Sequence, residues 1–207
     1  MELTRAAYLG LLVAVGVVRL AELRVSRKHQ RLLLAKGAQI AADPSFRWMV
    51  LLHVGVLVTA GAEVWFWRRP FIPALAAVCV LLFLLANGMR WWVIHTLGRQ
   101  WSVEVIDSGA LGVVDRGPYR FIRHPNYTAV FVEMLALPLI HTAWLTAAVS
   151  TPAHWLILRA RVKTEDRVLM ANPVYCAKMG RKPRFIPRLF SNTPGNRRSA
   201  LPGSPVD

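Results

Sequence analysis

The chain has 207 residues, 55% of them hydrophobic, with 26 Lys and Arg against 11 Asp and Glu, a formal net charge of +15. That length is one domain, or one small bundle with tails, and apolar residues gathered into long runs with few charges mark a membrane protein. The basic surplus falls between and after the apolar runs, where cytoplasmic loops collect Lys and Arg, so no nucleic-acid partner is expected. Cys79 and Cys176 form no CxxC pair and no disulfide framework.

The first expected helix covers about 3–23. Its apolar segment, 6–18, has the length of a signal-peptide core, but Arg19 and a basic stretch follow it rather than a small-residue cleavage site, so it is read as a retained span. Arg19 and Glu22, three apart, share a helix face and are expected to pair near a helix end. The basic segment 24–36 is expected along the cytoplasmic surface. Asp43-Pro44-Ser45 punctuates the chain, with Ser45 as N-cap of the next helix.

The second span is 48–67, with tryptophan at both ends as an interfacial belt places them. His53 and Glu63 within it are assigned structural hydrogen bonds. Arg68-Arg69-Pro70 makes a tight turn before a third span, 71–94. Residues 98–126 are polar, hold several glycines and lack helical period, so they are expected as an ordered loop or a set of short turns.

From 127 to 158 the chain is apolar apart from Glu133, His141 and Ser150-Thr151-Pro152. One straight helix of that length measures about 48 Å, against a bilayer core of roughly 30 Å. A hairpin of two short arms turning near His141-Thr142 is expected instead, with a break at 150–152. A polar helix leaves the membrane over 159–170 and Asn172-Pro173 ends it; 191–207, rich in Pro, Gly and Ser, is expected to be disordered. The fold class is therefore an all-α integral membrane protein of about five transmembrane helices. Three spans fall in 1–97, and the catalytic region in 98–190.

Several chemistries are excluded by spacing. The six histidines form no HxxxH or HxxEH, so no metal site is expected. No GxSxG nucleophile elbow is present, and Gly109, Gly112 and Gly117 do not make a GxGxxG turn after a strand. Two clusters remain. In the stretch 117–131, Pro118 and Pro125 stiffen the backbone, and Pro125 turns His124 away from helix. That presents His124 and Tyr127 at a helix start. In the second cluster, RVKTED over 161–166, Arg161 and Glu165 stand four apart, the spacing of an ordinary ion pair.

Together these clusters resemble the isoprenylcysteine carboxyl methyltransferase family. The likeness lies in G-P-Y (Gly117, Pro118, Tyr119), R-H-P-N-Y (Arg123 to Tyr127), an apolar hairpin, R-x-x-x-E-D (Arg161, Glu165, Asp166), then N-P-x-Y (Asn172 to Tyr175) and R-F-I-P (Arg184 to Pro187). It covers roughly 101–187. Asp166 stands where the family commonly has glutamate, and Asn126 and Thr128 replace its frequent residues. The resemblance implies a membrane enzyme using S-adenosylmethionine, with S-adenosylhomocysteine as product, in a cytoplasmic pocket. It implies that Tyr119, His124, Pro125, Asn126 and Tyr127 line the cofactor site, that Leu111, Gly112, Val113 and Val114 close over the adenosine, and that Glu165 touches the cofactor. It makes Arg161 the catalytic residue facing the methyl acceptor. The implied acceptor is a lipophilic or prenylated molecule entering from the bilayer, methylated on an oxygen, most simply a carboxylate. A small alkylated phenol or pyrone, a phospholipid amine, and a non-enzymatic scaffold gripping anionic membrane lipids remain the alternatives.

Overall fold

The computed structural model describes residues 2–107 and 112–187; Leu111 and the expected tail lie outside them. Within that range the chain forms α1 (Glu2–Leu34), β1 (Gln39–Ile40), α2 (Ser45–Phe66), α3 (Pro73–Leu97), β2 (Ile106–Asp107), α4 (Pro125–Leu139), α5 (Trp144–Met170) and α6 (Pro173–Met179). Three of these, α1, α2 and α3 with its continuation to Gln100, are long and apolar enough to cross a membrane. Their outer faces expose Val13, Val58 and Leu85 by more than 60%. Water does not tolerate so continuous an apolar surface, but lipid tails do. The protein is an integral membrane protein.

α1 does not stop at residue 23. The basic segment contains no glycine or proline and is built of good helix formers, so the helix runs on to Leu34 until Gly37 reverses the chain at φ 86°. Thirty-three residues make a rod about 50 Å long, which projects beyond the hydrocarbon on one side. Ser45 is not the N-cap of α2. Pro44 holds that position, and Asp43 Oδ1 takes the Ser45 N–H at 3.0 Å.

α4 and α5 form the hairpin, turning at 140–143 with Thr142 at φ 56°. The expected break at 150–152 is absent, since α5 runs through Pro152. Glu63 does more than a single hydrogen bond. It is 1% exposed in α2 and accepts from Leu145 N, Thr146 N and Thr146 Oγ1, capping the first turn of α5, while Arg69 pairs with it from outside. That carboxylate satisfies donors that apolar surroundings otherwise orphan. α3 packs along α4, and α2 along α5. Tyr8, Leu12, Ala60, Val64, Ala136 and Leu137 form the core between α1, α2 and α4.

The described residues of the segment 98–124 are short turns, as expected, but part of them is also strand, and 125–126 already belong to α4. β2 pairs antiparallel with β1, Ile106 opposite Ile40, and Val105 O accepts Ala41 N at 2.9 Å. The ribbon draws the 41–44 loop over the end of the bundle. Asn172 ends α5 and also starts α6, its Oδ1 accepting from Val174 N and Tyr175 N with Pro173 in the first turn.

Candidate active site

His154, Leu158, Arg161 and Glu165 recur on α5 at spacings of four, three and four, which places them on one face. All four line a cavity of about 440 Å³. Its other walls come from the second half of α1, the first half of α2, the end of α3, the start of α4 and the segments 100–106 and 112–114. The cavity is therefore at one end of the bundle, the end from which α1 projects its basic turns.

Arg161 is 3% exposed and three of its nitrogens are engaged. Nε donates to Tyr127 OH at 2.9 Å, Nη1 to Asp43 Oδ2 at 2.7 Å, and Nη2 to the Val103 carbonyl. The expected direct pair with Glu165 does not form. A phenol has one proton and can both donate and accept, so Tyr127 accepts from Arg161 and donates to Glu165, linking the two. Phe46 and Tyr127 lie under the guanidinium at 5.7 and 5.8 Å. Asp43 is 118 positions away in sequence, and the ribbon is what delivers it.

Gly117 of the G-P-Y segment has φ 58°, and a Cβ there would run into the Thr96 side chain on α3. Only glycine fits that turn against that helix. Tyr119 then enters the cavity wall, and burial, followed by nearby Glu165, pushes its phenol above the usual range, so it remains a donor. His124 caps α4, with Pro125 in the first turn. The backbone N–H groups of Arg123 and His124 donate to Pro183 O and Arg184 O, both at 2.9 Å, which ties R-H-P to R-F-I-P.

Asp166 closes this latch, accepting from His124 Nε2 and Arg184 Nε at 2.8 Å and from Arg123 at 3.2 Å. The adjacent acids thus divide their work: Glu165 faces the cavity and Asp166 holds its frame. Burial alone raises the Asp166 carboxyl, but His124, then Arg123 and Arg184, outweigh it and leave it below its ordinary 3.8. A depressed folded value contributes stability above the unfolded value, lost as pH falls through the folded one. Protection of the Arg123 and His124 amides, relative to their intrinsic exchange rates, is therefore expected to hold from neutral pH to about 4 and to fall below it. Asp166→Asn should lower that protection at pH 7, and unchanged protection would remove Asp166 as the latch.

Of the residues expected at the site, Gly112, Val113, Val114, Tyr119, His124, Asn126, Tyr127, Arg161 and Glu165 line the cavity. Pro125 does not; it is buried beneath His124 as the start of α4. Leu111 lies outside the described residues. The structure adds Leu169, Asn172, Tyr175, His53 and His154 to the wall. The N-P-x-Y motif carried a signal for Asn172 and Tyr175, whereas the two histidines were single polar residues in apolar runs.

Arg19 and Glu22 do pair, but inside the bundle rather than at an interface. Arg19 also meets Glu133 on α4, and Glu22 accepts from Arg90 Nε at 2.9 Å and Nη2 at 2.7 Å. Arg90 Nη1 reaches Asn126 Oδ1 at 3.3 Å, so the network adjoins the R-H-P-N-Y wall. Two cations and two carboxylates balance there.

Residues 78–171 match the model of the isoprenylcysteine carboxyl methyltransferase (ICMT) family. An uncharacterised protein of Bacillus subtilis, YpbQ, is 27% identical over 161 residues, 77% of this chain and 95% of the other. The cobalt-zinc-cadmium resistance protein CzcN of Cupriavidus metallidurans is 34% identical over 108 residues, about half of each chain. Among solved structures, the eukaryotic intramembrane Ras methyltransferase ICMT superposes with a TM-score of 0.56 at 23% identity, covering 69% of this chain and 53% of that one. At that identity the likeness shows a shared fold, and the chain spans about half of that structure.

Proposed function

We propose, from the premise that this chain belongs to the isoprenylcysteine carboxyl methyltransferase family, that it moves a methyl group from S-adenosylmethionine to an oxygen of a lipophilic acceptor. The observation that carries this reading is the single cavity wall on which Glu165, Tyr127 and Arg161 are linked in order. The donor set suits the cofactor. Glu165 offers a carboxylate to its ammonium, Tyr119 and Tyr175 offer phenol donors, and Val113, Val114 and Leu169 offer an apolar face to adenine. When bound, S-adenosylmethionine supplies an electrophilic methyl on a sulfonium. The protein's part is to orient the oxygen in line and exclude water, which strengthens charge interactions between the two.

Arg161 holds that oxygen. Three of its five N–H groups are used internally and two remain, enough for a carboxylate. A neutral oxygen, such as that of an alkylated phenol or pyrone, is the second reading. Asp43 favours it, since the Arg161 charge is already balanced by a carboxylate 2.7 Å away. The site faces the cytoplasm in this proposal, because Arg24, Arg27, Lys28 and Arg31 stand on the projecting end of α1 beside it. α4 and the apolar part of α5, 144–158, are taken as the fourth and fifth spans, and the acceptor enters from the bilayer. The 98–190 region serves as the catalytic half.

The test is binding, then turnover. Purified protein should give saturable heat with S-adenosylhomocysteine, and Glu165→Gln should weaken it about tenfold, the worth of one charge-assisted hydrogen bond. No heat at millimolar ligand would sink the reading and leave a scaffold holding anionic lipid. Incubation with labelled S-adenosylmethionine and lipid extract of the native cell then identifies the acceptor.

A further inference from the structure

One polar group on the cavity wall has no role in the scheme above. His154 is 1% exposed, and neither Nδ1 nor Nε2 has a hydrogen-bond partner. A buried polar atom left unmatched costs about 1–3 kcal/mol, and here there are two on one ring. Its neighbours are the His53 ring, edge-on at 5.6 Å, and Phe131 at 6.1 Å. His53 lines the same cavity from α2. Its Nδ1 lies 2.7 Å from Met49 O. A carbonyl can only accept, so that nitrogen carries the proton and, in the uncharged ring, Nε2 presents a lone pair.

Two uncharged imidazoles thus offer one N–H donor and two acceptor nitrogens. Arg19, Glu22 and Arg90 on the same wall do not fill this need, because they are spent on one another and on Glu133. His154 stands seven residues before Arg161 on the same face of α5, roughly 10 Å away along the helix axis. Leu158 between them is apolar, so the wall reads polar, apolar, polar.

We propose that His154 and His53 form a second recognition subsite for the acceptor, binding an uncharged hydroxyl or amide roughly 10 Å from the oxygen that is methylated. The inference rests on the methyltransferase reading and narrows its substrate class. A hydroxyl donates to His53 Nε2 and accepts from the His154 N–H, which matches one of the two His154 nitrogens and the free His53 nitrogen at once. A plain hydrocarbon tail leaves His154 unmatched and is a poorer fit. The favoured acceptor is therefore a lipid with two separated polar groups, not one with a polar head alone.

The experiment uses the full chain in lipid nanodiscs with S-adenosylhomocysteine present. The probes are pairs of long-chain alkyl carboxylic acids and alkylphenols, each pair differing by one mid-chain hydroxyl. Wild type should bind the hydroxylated member about tenfold tighter, the worth of one good hydrogen bond. A hydroxyl placed next to the head should bring no gain. His154→Phe should bind plain and hydroxylated chains alike, and His53→Phe, which leaves α5 untouched, should reduce the preference. Equal affinities in wild type, or a preference that survives both variants, would overturn the subsite; equal affinities are also what a resident water satisfying His154 produces. S-adenosylhomocysteine binding is measured on the same samples. Its absence defeats the methyltransferase reading, while its presence without hydroxyl preference defeats the subsite alone.

Discussion

Arg161→Lys is expected to lower methyl transfer by on the order of 10²–10³, the loss typical of one preorganised group facing a reacting oxygen. Affinity for S-adenosylhomocysteine should stay within a few-fold. The substitution keeps the positive charge, so Asp43 does not become a lone buried carboxylate. What it removes is the planar fork. An ammonium cannot at once meet Tyr127 OH, Asp43 and the Val103 carbonyl and still present two N–H groups to an acceptor. Glu165, Tyr119 and Asn172 are untouched, and Tyr127 keeps Glu165 as its acceptor. Arg161→Ala makes the contrast: turnover is abolished, but Asp43 is now uncompensated, costing about 3–5 kcal/mol of stability. Single-turnover rates with the acceptor from the native lipid extract, beside calorimetry, separate the outcomes. Normal turnover in the lysine variant would mean that Arg161 only organises Tyr127 and the 41–44 loop.

The helices were legible because each span is a long apolar run, a signal that survives errors of several residues at its ends. The end of α1 was not. The basic stretch after residue 23 looks like a surface segment by charge, yet nothing in it breaks a helix before Gly37. Motif order pointed to Tyr127 and Glu165, which the fold brings to one cavity wall, because groups spread over several segments leave several marks. Asp43 left none: its contact with Arg161 depends on a two-residue ribbon between segments more than sixty positions apart. Glu63 and His154 were single polar letters in apolar runs, and sequence does not distinguish a helix cap from an unmatched ring. That difference lies in which helix packs opposite.

The charged network tests whether intramembrane arginines here are structural or dispensable. Glu22→Leu removes both of the carboxylate bonds that Arg90 makes. Arg90 is 7% exposed and keeps only the amide oxygen of Asn126 at 3.3 Å. Arg19 retains Glu133 and is less affected. An uncompensated buried cation costs about 3–5 kcal/mol, so the midpoint of thermal unfolding in detergent should fall by on the order of 10 °C. Removing the partner as well is the informative step. Glu22→Leu with Arg90→Met deletes one charge of each sign and replaces them by apolar volume, which leaves no orphan and should recover most of the loss. A snorkelling pair at a helix end predicts the opposite pattern, with each single change nearly silent. If single and double variants fall equally, the pair contributes by its packing and not by its charge. The same series reports on the site, because Asn126 belongs to both. In Glu22→Leu the freed guanidinium pulls harder on the Asn126 oxygen, so S-adenosylhomocysteine affinity should drop with stability; in the double variant Asn126 loses the Arg90 contact altogether, so stability should recover further than affinity.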